Sequence, residues 1–351
     1  MKKRKTLITI LVALLLTVFL AGHAQLLLVP HDRASNPEAF MLHEYLDIDA
    51  SEDAVVFVGD CEVYETFVPV VMWQEEGIES RVVGTPQQLL WHSYAVLDEV
   101  FRRSDPKVIV LSVYGLVYNE PQSEAYNRMV LDPLPMSDVK REVMQVALTE
   151  EESVASYYVP LLRYHDRWSQ LTWRDVTTLV GTQENVTSRG YLVKTDVVGA
   201  PTSHPSHEGA LPPVDTAFGE TALEWFDRIV TLCRENEAAL VLVKAPTDSW
   251  RYPWYDEYEE QVVALAEKYE LPYYNLLDAF DEIGLDLTTD SYDGGLHLNV
   301  YGAEKVSKYF GGILRKKYKM KDTYNYYSYL HPYWEAEVAR YEAMKGEVSE
   351  P

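Results

Sequence analysis

From residue 54 onward, short apolar runs rich in β-branched residues take turns with stretches of helical periodicity. The runs fall at residues 54–58, 80–83, 107–113, 239–243 and 272–276, and four of them are nearly unbroken, which suits strands covered on both faces. Helical patterns occupy residues 63–76, 87–102, 221–236, 255–269 and 300–317. In the last, Ala303, Val306, Phe310 and Ile313 recur at helical spacing while Lys305, Lys308 and Lys316 face out. A helix between successive strands forces them parallel, so the pattern predicts a doubly wound, parallel α/β sheet.

The alternation breaks between residues 113 and 221. That stretch carries a helical pattern at 138–147, another at 150–168, and a loop with Pro201, Pro205, Pro212 and Pro213. A structureless loop of such length is improbable, so residues 114–218 are expected to form an inserted helical lid or subdomain. The domain proper is expected to run from 31 to 318. Residues 319–351 are read as a docked tail with a short charged helix from about Trp334 to Lys345.

At the other end, Lys2, Lys3, Arg4 and Lys5 precede an uncharged run from Thr6 to about Val29. Four cations before an uncharged span of this length predict a transmembrane signal anchor over residues 1–30, its basic flank inside. The rest of the chain is then expected outside the cell membrane as a single-pass protein, or secreted if Gly22-His23-Ala24 serves as a cleavage site.

The 351 residues carry 31 basic and 55 acidic side chains, a net charge of −24. Such an acidic surface excludes a nucleic-acid partner, which needs clustered Lys and Arg to displace counterions. A neutral glycan is not excluded. Two cysteines, Cys61 and Cys233, make neither a disulfide framework nor a four-cysteine zinc site. Cys233 falls on the apolar stripe of its helix with Phe226, Ile229 and Val230 and reads as core. His204 and His207 lie in the Pro-rich loop with an incomplete ligand set, so neither a metal nor a cofactor is expected. Asn185-Val186-Thr187 is a formal glycosylation sequon, which matters only in a eukaryotic secretory pathway.

Ligands of open α/β sheets bind beyond the carboxyl ends of the strands. The first strand delivers Gly59-Asp60-Cys61-Glu62 there, and the second Gly84-Thr85-Pro86. The third leads to Tyr114, Asn119 and Asn127. The fourth delivers Lys244 and a loop with Trp250, Tyr252, Trp254 and Tyr255, whose rings are candidates to stack on sugars or simply to pack. Before the last helix comes Asp293-Gly294-Gly295-Leu296-His297-Leu298-Asn299. Cys61 stands at a strand-to-helix turn, where free N–H groups favour a thiolate or an oxyanion. His297, with Asp293 beside it and Asp290 near, has the parts of a base with its orienting carboxylate.

Val-Phe-Val-Gly59-Asp60-Cys61-Glu62, followed at the far end by Asp293, His297-Leu298-Asn299 and Gly302, resembles the SGNH/GDSL hydrolase family over roughly residues 54–317. The anchor, insertion and aromatic loops are similar to its extracytoplasmic branch, which includes the D-alanyl transfer protein of teichoic acids and alginate-type O-acetylation proteins. The resemblance implies a flavodoxin-like sheet, and hydrolysis or transfer of an acyl ester through a covalent acyl-enzyme. It places the nucleophile at Cys61, the base at His297, and an oxyanion hole at the N–H groups of Cys61 and Gly84 with a side-chain amide, Asn127 or Asn119. It further implies a cell-envelope glycan as substrate and a membrane-bound O-acyltransferase as a partner. Three departures stand out: the family's Ser is Cys here; its Asp three residues before the His is Gly294, which leaves Asp293, with Asp290 in reserve; and its Asn-bearing block after the third strand has no clean match. The competing expectation is a non-catalytic envelope-glycan binding or assembly protein that keeps the fold. A Cys protease is disfavoured, because nothing marks a peptide-binding groove.

Overall fold

The computed structural model describes residues 2–48, 53–181, 183–204, 217–247 and 255–348, in two units. One joins residues 1–37 with 150–185, and the other joins 38–149 with 186–351.

The larger unit is built on five parallel strands, β1 (Val55–Gly59), β2 (Ser80–Gly84), β3 (Val108–Ser112), β4 (Ala239–Lys244) and β5 (Tyr273–Asn275), in the order 2-1-3-4-5. Val55 pairs with Ser80 on one side and Val108 on the other, and Ala239 joins β3 at Val108. This is the flavodoxin-like order, whose direction of winding reverses between β1 and β3. The crevice at that switch point opens where Cys61 and Tyr114 leave their strands.

Both faces of the sheet are dry, as the near-continuous apolar strands require. Val55, Phe57, Val108, Val110, Val241 and Val243 join one cluster with Phe67, Val306 and Phe310. The alternate residues Val56, Val58, Ile109, Leu111 and Leu242 are buried on the opposite face. Phe57 and Phe67 stack with centroids 4.4 Å apart, and Phe310 meets Phe67 at 5.4 Å. Helix Val300–Lys317 packs on Pro69–Glu76, and helix Leu90–Arg103 on Glu220–Glu235. Helix His331–Val348 docks on Pro69–Glu76 as well, stacking Trp334 on Trp73 at 5.3 Å.

Two expected helices are broken, each at a proline. The 63–76 pattern divides into Cys61–Tyr64 and Pro69–Glu76, because a residue before proline is held extended and Val68 adopts φ −104°, ψ 99°. Pro160 likewise splits the 150–168 pattern into Val154–Tyr158, Leu161–Tyr164 and a 3₁₀ turn, His165–Ser169.

The insertion is not one subdomain. Helices Glu124–Leu131 and Asp138–Ala147 belong to the sheet unit, while residues 150–185 belong with the first helix. From Val186 the chain runs along the sheet unit as a strap. Arg189 O accepts from Val82 N at 3.0 Å, Leu192 N donates to Tyr64 O at 3.0 Å, and Val198 N donates to Ser291 O at 3.0 Å.

The smaller unit is dominated by helix Lys2–Leu28, of which Arg4–Leu28 is long and apolar enough to cross a membrane, with mean hydropathy 2.4 in its richest window. Residues 150–185 grip its C-terminal end. Leu161 N donates to Gln25 Oε1 at 3.4 Å, Arg167 donates to the Leu28 carbonyl, and Arg33 N donates to Gln183 Oε1 at 3.1 Å.

Candidate active site

The end of β1 sets the position of Cys61. A Cβ on Gly59 would lie 2.6 Å from Cβ of Ser112 and 2.8 Å from Val63, so only glycine lets β1 approach β3 and turn there. Asp60 then caps the single turn Cys61–Tyr64 by accepting from Glu62 N at 3.3 Å, and Ser112 Oγ donates to the same carboxylate oxygen at 3.4 Å.

The loop before helix Val300–Lys317 sets the position of His297. Gly294 and Gly295 take φ of 86° and 104°, a region that disfavours other residues, and this reversal folds the loop back on Asp293. Asp293 Oδ2 lies 2.6 Å from His297 Nδ1, and Oδ1 accepts from His297 N at 2.8 Å. Ser291 Oγ in turn donates to Asp293 Oδ1 at 3.3 Å. With Nδ1 committed, Nε2 is the nitrogen left for chemistry.

Cys61 and His297 line one cavity of about 170 Å³ together with Asp60, Glu62, Gln87, Tyr114, Tyr118, Thr247 and Leu296. Sequence reasoning placed the thiol, the imidazole and Asp293 at the same sheet edge, and the structure brings them together. Asp290 is elsewhere: it is buried and its Oδ2 is 2.6 Å from Lys305 Nζ.

Two of the oxyanion candidates stand apart from the cavity lining. Asn127 is buried with its amide donating to Ala147 O at 2.6 Å, and it does not line the cavity. Gly84 does not line it either. It sits against Gly59, whose carbonyl oxygen would be 2.6 Å from an added Cβ, so its smallness serves the β1–β2 pairing. Gln87, at φ 47°, is brought into the cavity instead. Asn119 caps the start of helix Glu220–Glu235, accepting from Thr221 N at 2.9 Å. Among the aromatic candidates, Tyr255 is buried with its hydroxyl accepting from Asn275 at 2.7 Å, so its ring is not offered to a sugar. Trp250, Tyr252, Trp254 and His207 lie outside the described residues. His204 is exposed, 3.8 Å from Asp281. Cys233 is core, and both cysteines are free thiols.

Three charged groups around the site went unassigned in the sequence. Glu62 is buried and paired with Lys244 at 2.9 Å, itself 1% exposed, and Thr247 Oγ1 lies 3.5 Å from the same carboxylate oxygen. Glu65 is buried beside the imidazole, its Oε2 3.8 Å from Nδ1, and accepts from the Tyr292 hydroxyl at 2.8 Å. The signal was present in the spacing, because residues 62 and 65 are three apart and so neighbours on a turn that starts at the thiol.

These carboxylates decide the protonation states. Burial pushes the Cys61 thiol well above its usual value, and the charges of Asp60, Glu65 and Glu62 push it the same way. Burial pulls His297 down, but the Asp293 hydrogen bond and the Glu65 charge outweigh it and raise the imidazole to about 9. Burial raises Asp293, and the hydrogen bonds from His297 overcome that to hold it below the usual carboxylate range. Burial lifts Glu65 to about 7, and Asp60 also rises, through burial and then Glu62. At neutral pH the resting site therefore holds a thiol beside an imidazolium.

No family model matches this sequence, and no curated protein matches it. A solved structure described as a lipolytic protein of the G-D-S-L family, from Desulfitobacterium hafniense, aligns over 75% of this chain and 100% of its own. Identity is 12% and the TM-score 0.38, so the fold assignment rests on the sheet order and register rather than on that likeness.

Proposed function

We propose that the chain is an esterase or O-acyltransferase of the SGNH/GDSL type that acts on short acyl esters of a cell-envelope glycan. Residues 6–29 would hold it in the membrane, with the sheet unit outside. The observation that carries the enzymatic reading is the Asp293–His297 pair, which leaves Nε2 free at a cavity that Cys61 also lines. The cavity of about 170 Å³ that Cys61 and His297 line is where the acyl group would be received.

In this reading His297 Nε2, once neutral, takes the Cys61 proton as sulfur bonds to the ester carbonyl. The oxyanion is met by the Cys61 N–H and the side-chain amide of Gln87, donors of a kind whose loss costs about 3 kcal/mol each. The imidazolium returns its proton to the departing alkoxide. Water then attacks the thioester in hydrolysis, or a glycan hydroxyl in transfer, and the thiol is regenerated. A membrane-bound O-acyltransferase is the proposed acyl donor for the transfer route.

The carboxylates around Cys61 favour a second reading, a glycan-binding protein with an unreactive thiol. Turnover of p-nitrophenyl acetate by the full chain separates the two. The enzymatic reading expects a rate lost in both Cys61→Ala and His297→Ala. Equal rates in all three proteins would leave the binding reading.

A further inference from the structure

The unit containing the first helix exposes large apolar side chains beyond the helix itself. Trp168 is 72% exposed, Trp173 77% and Val180 79%, with Leu162, Val154 and Tyr158 also more than half exposed. Trp173 and Val180 stand seven residues apart on helix Trp173–Val180 and so share a face. Two of the nearby arginines are paired with carboxylates, although Arg174 itself stays 63% exposed. Arg167 Nη2 donates to Asp175 Oδ1 at 2.7 Å, and Arg174 Nη2 to Asp32 Oδ1 at 3.0 Å.

A hydrocarbon core of about 30 Å takes about 20 helical residues. Counted from Thr6, the first residue after the basic cluster, that length ends near Gln25. Gln25 and Leu28 are where residues 150–185 grip the helix. The clasp thus sits at the level of the lipid headgroups, where tryptophan rings are most favourable because one edge is apolar and the N–H stays wet.

We propose that residues 150–185 form a collar that lies in the outer boundary of the bilayer, inserting Trp168, Trp173, Leu162 and Val180 between lipid headgroups. The collar rests on the reading of residues 6–25 as a membrane span. It gives the anchor a second attachment, one that fixes the emerging chain relative to the lipid surface instead of leaving it on a single swivelling helix. The lipid is the occupant argued for, since the segment that carries these side chains packs on the apolar helix and its depth matches the interface.

The span contains no tryptophan, so any quenching of intrinsic fluorescence arises outside it, and the Trp168→Phe/Trp173→Phe variant separates the collar from the other six tryptophans. The full chain would be reconstituted alone in phosphatidylcholine vesicles brominated at acyl positions 6,7 or 11,12. The collar predicts quenching that is stronger with shallow bromines, at least about half of it lost in Trp168→Phe/Trp173→Phe. A dye on Leu15→Cys, in a Cys61→Ser background, reports the span by deep quenching. If Leu15 is quenched and the tryptophans are not, or the double variant changes nothing, the collar is wrong and the span stands. The surface would then belong to a protein partner absent from pure lipid. If Leu15 is not quenched, the span reading fails and takes the collar with it.

Discussion

Asp293 holds His297 twice, through the ring at 2.6 Å and through the backbone N–H at 2.8 Å. One carboxylate thereby fixes the tautomer, the ring plane and the loop that carries them. Asp293→Asn removes the charge that favours the imidazolium and lets the ring accept the wrong proton pattern. The expected result is a loss of esterase rate of about 10³ to 10⁴ with the melting temperature nearly unchanged. A rate within a few-fold of wild type would mean that Asp293 serves only the loop.

The pH profile follows from the imidazole. His297 is raised to about 9, so at pH 7 it is charged and cannot accept the thiol proton. Activity is expected to climb through a single ionisation near pH 9. Glu65→Gln takes away a charge that favours both the imidazolium and the neutral thiol, so the limb should move down by about one pH unit. A limb that stays in place would remove Glu65 from the electrostatics of the site.

Glu65 also makes a stability prediction. Its carboxyl is raised to about 7 in the folded protein, above its value in the unfolded chain, so the folded state binds the extra proton. The stability this contributes is full below about pH 4.5 and is lost as pH rises through 7. Glu65→Gln should therefore gain on wild type between pH 5 and pH 8 in denaturant titrations. Parallel curves across that range would contradict it.

The Glu62–Lys244 pair is buried at the carboxyl ends of β1 and β4. Lys244→Met leaves Glu62 without its cation and is expected to cost about 3–5 kcal/mol by denaturant unfolding. Adding Glu62→Leu should recover most of that, since an apolar pair pays no desolvation. Equal instability of the double variant would show that the pair's hydrogen bonds to Ala245 and Thr247 matter more than its charge.

The sheet was legible because strands buried on both faces write an unbroken apolar run, as at Val55–Gly59 and Val108–Ser112. The convergence of Cys61 with His297 was legible for a topological reason: parallel strands deliver their following loops to one edge. Gln87 was not, because its left-handed φ delays the helix to Leu90 and turns a presumed helical residue into a cavity residue. The fate of residues 150–185 was not legible either. Their packing on Gln25–Arg33 is set by contacts across more than 130 positions, and nothing local distinguishes a lid over the site from a clasp on the first helix.

Whether Cys61 is a working nucleophile is tested most directly by the intact mass of the protein after brief exposure to p-nitrophenyl acetate at pH 7 to 10, with Cys61→Ala and His297→Ala beside it. The proposed mechanism predicts one added acetyl group on wild type, forming faster as pH approaches 9, absent from Cys61→Ala and slowed by at least about 100-fold in His297→Ala. Acetylation that is no faster than that of a free cysteine, and indifferent to His297, would contradict it.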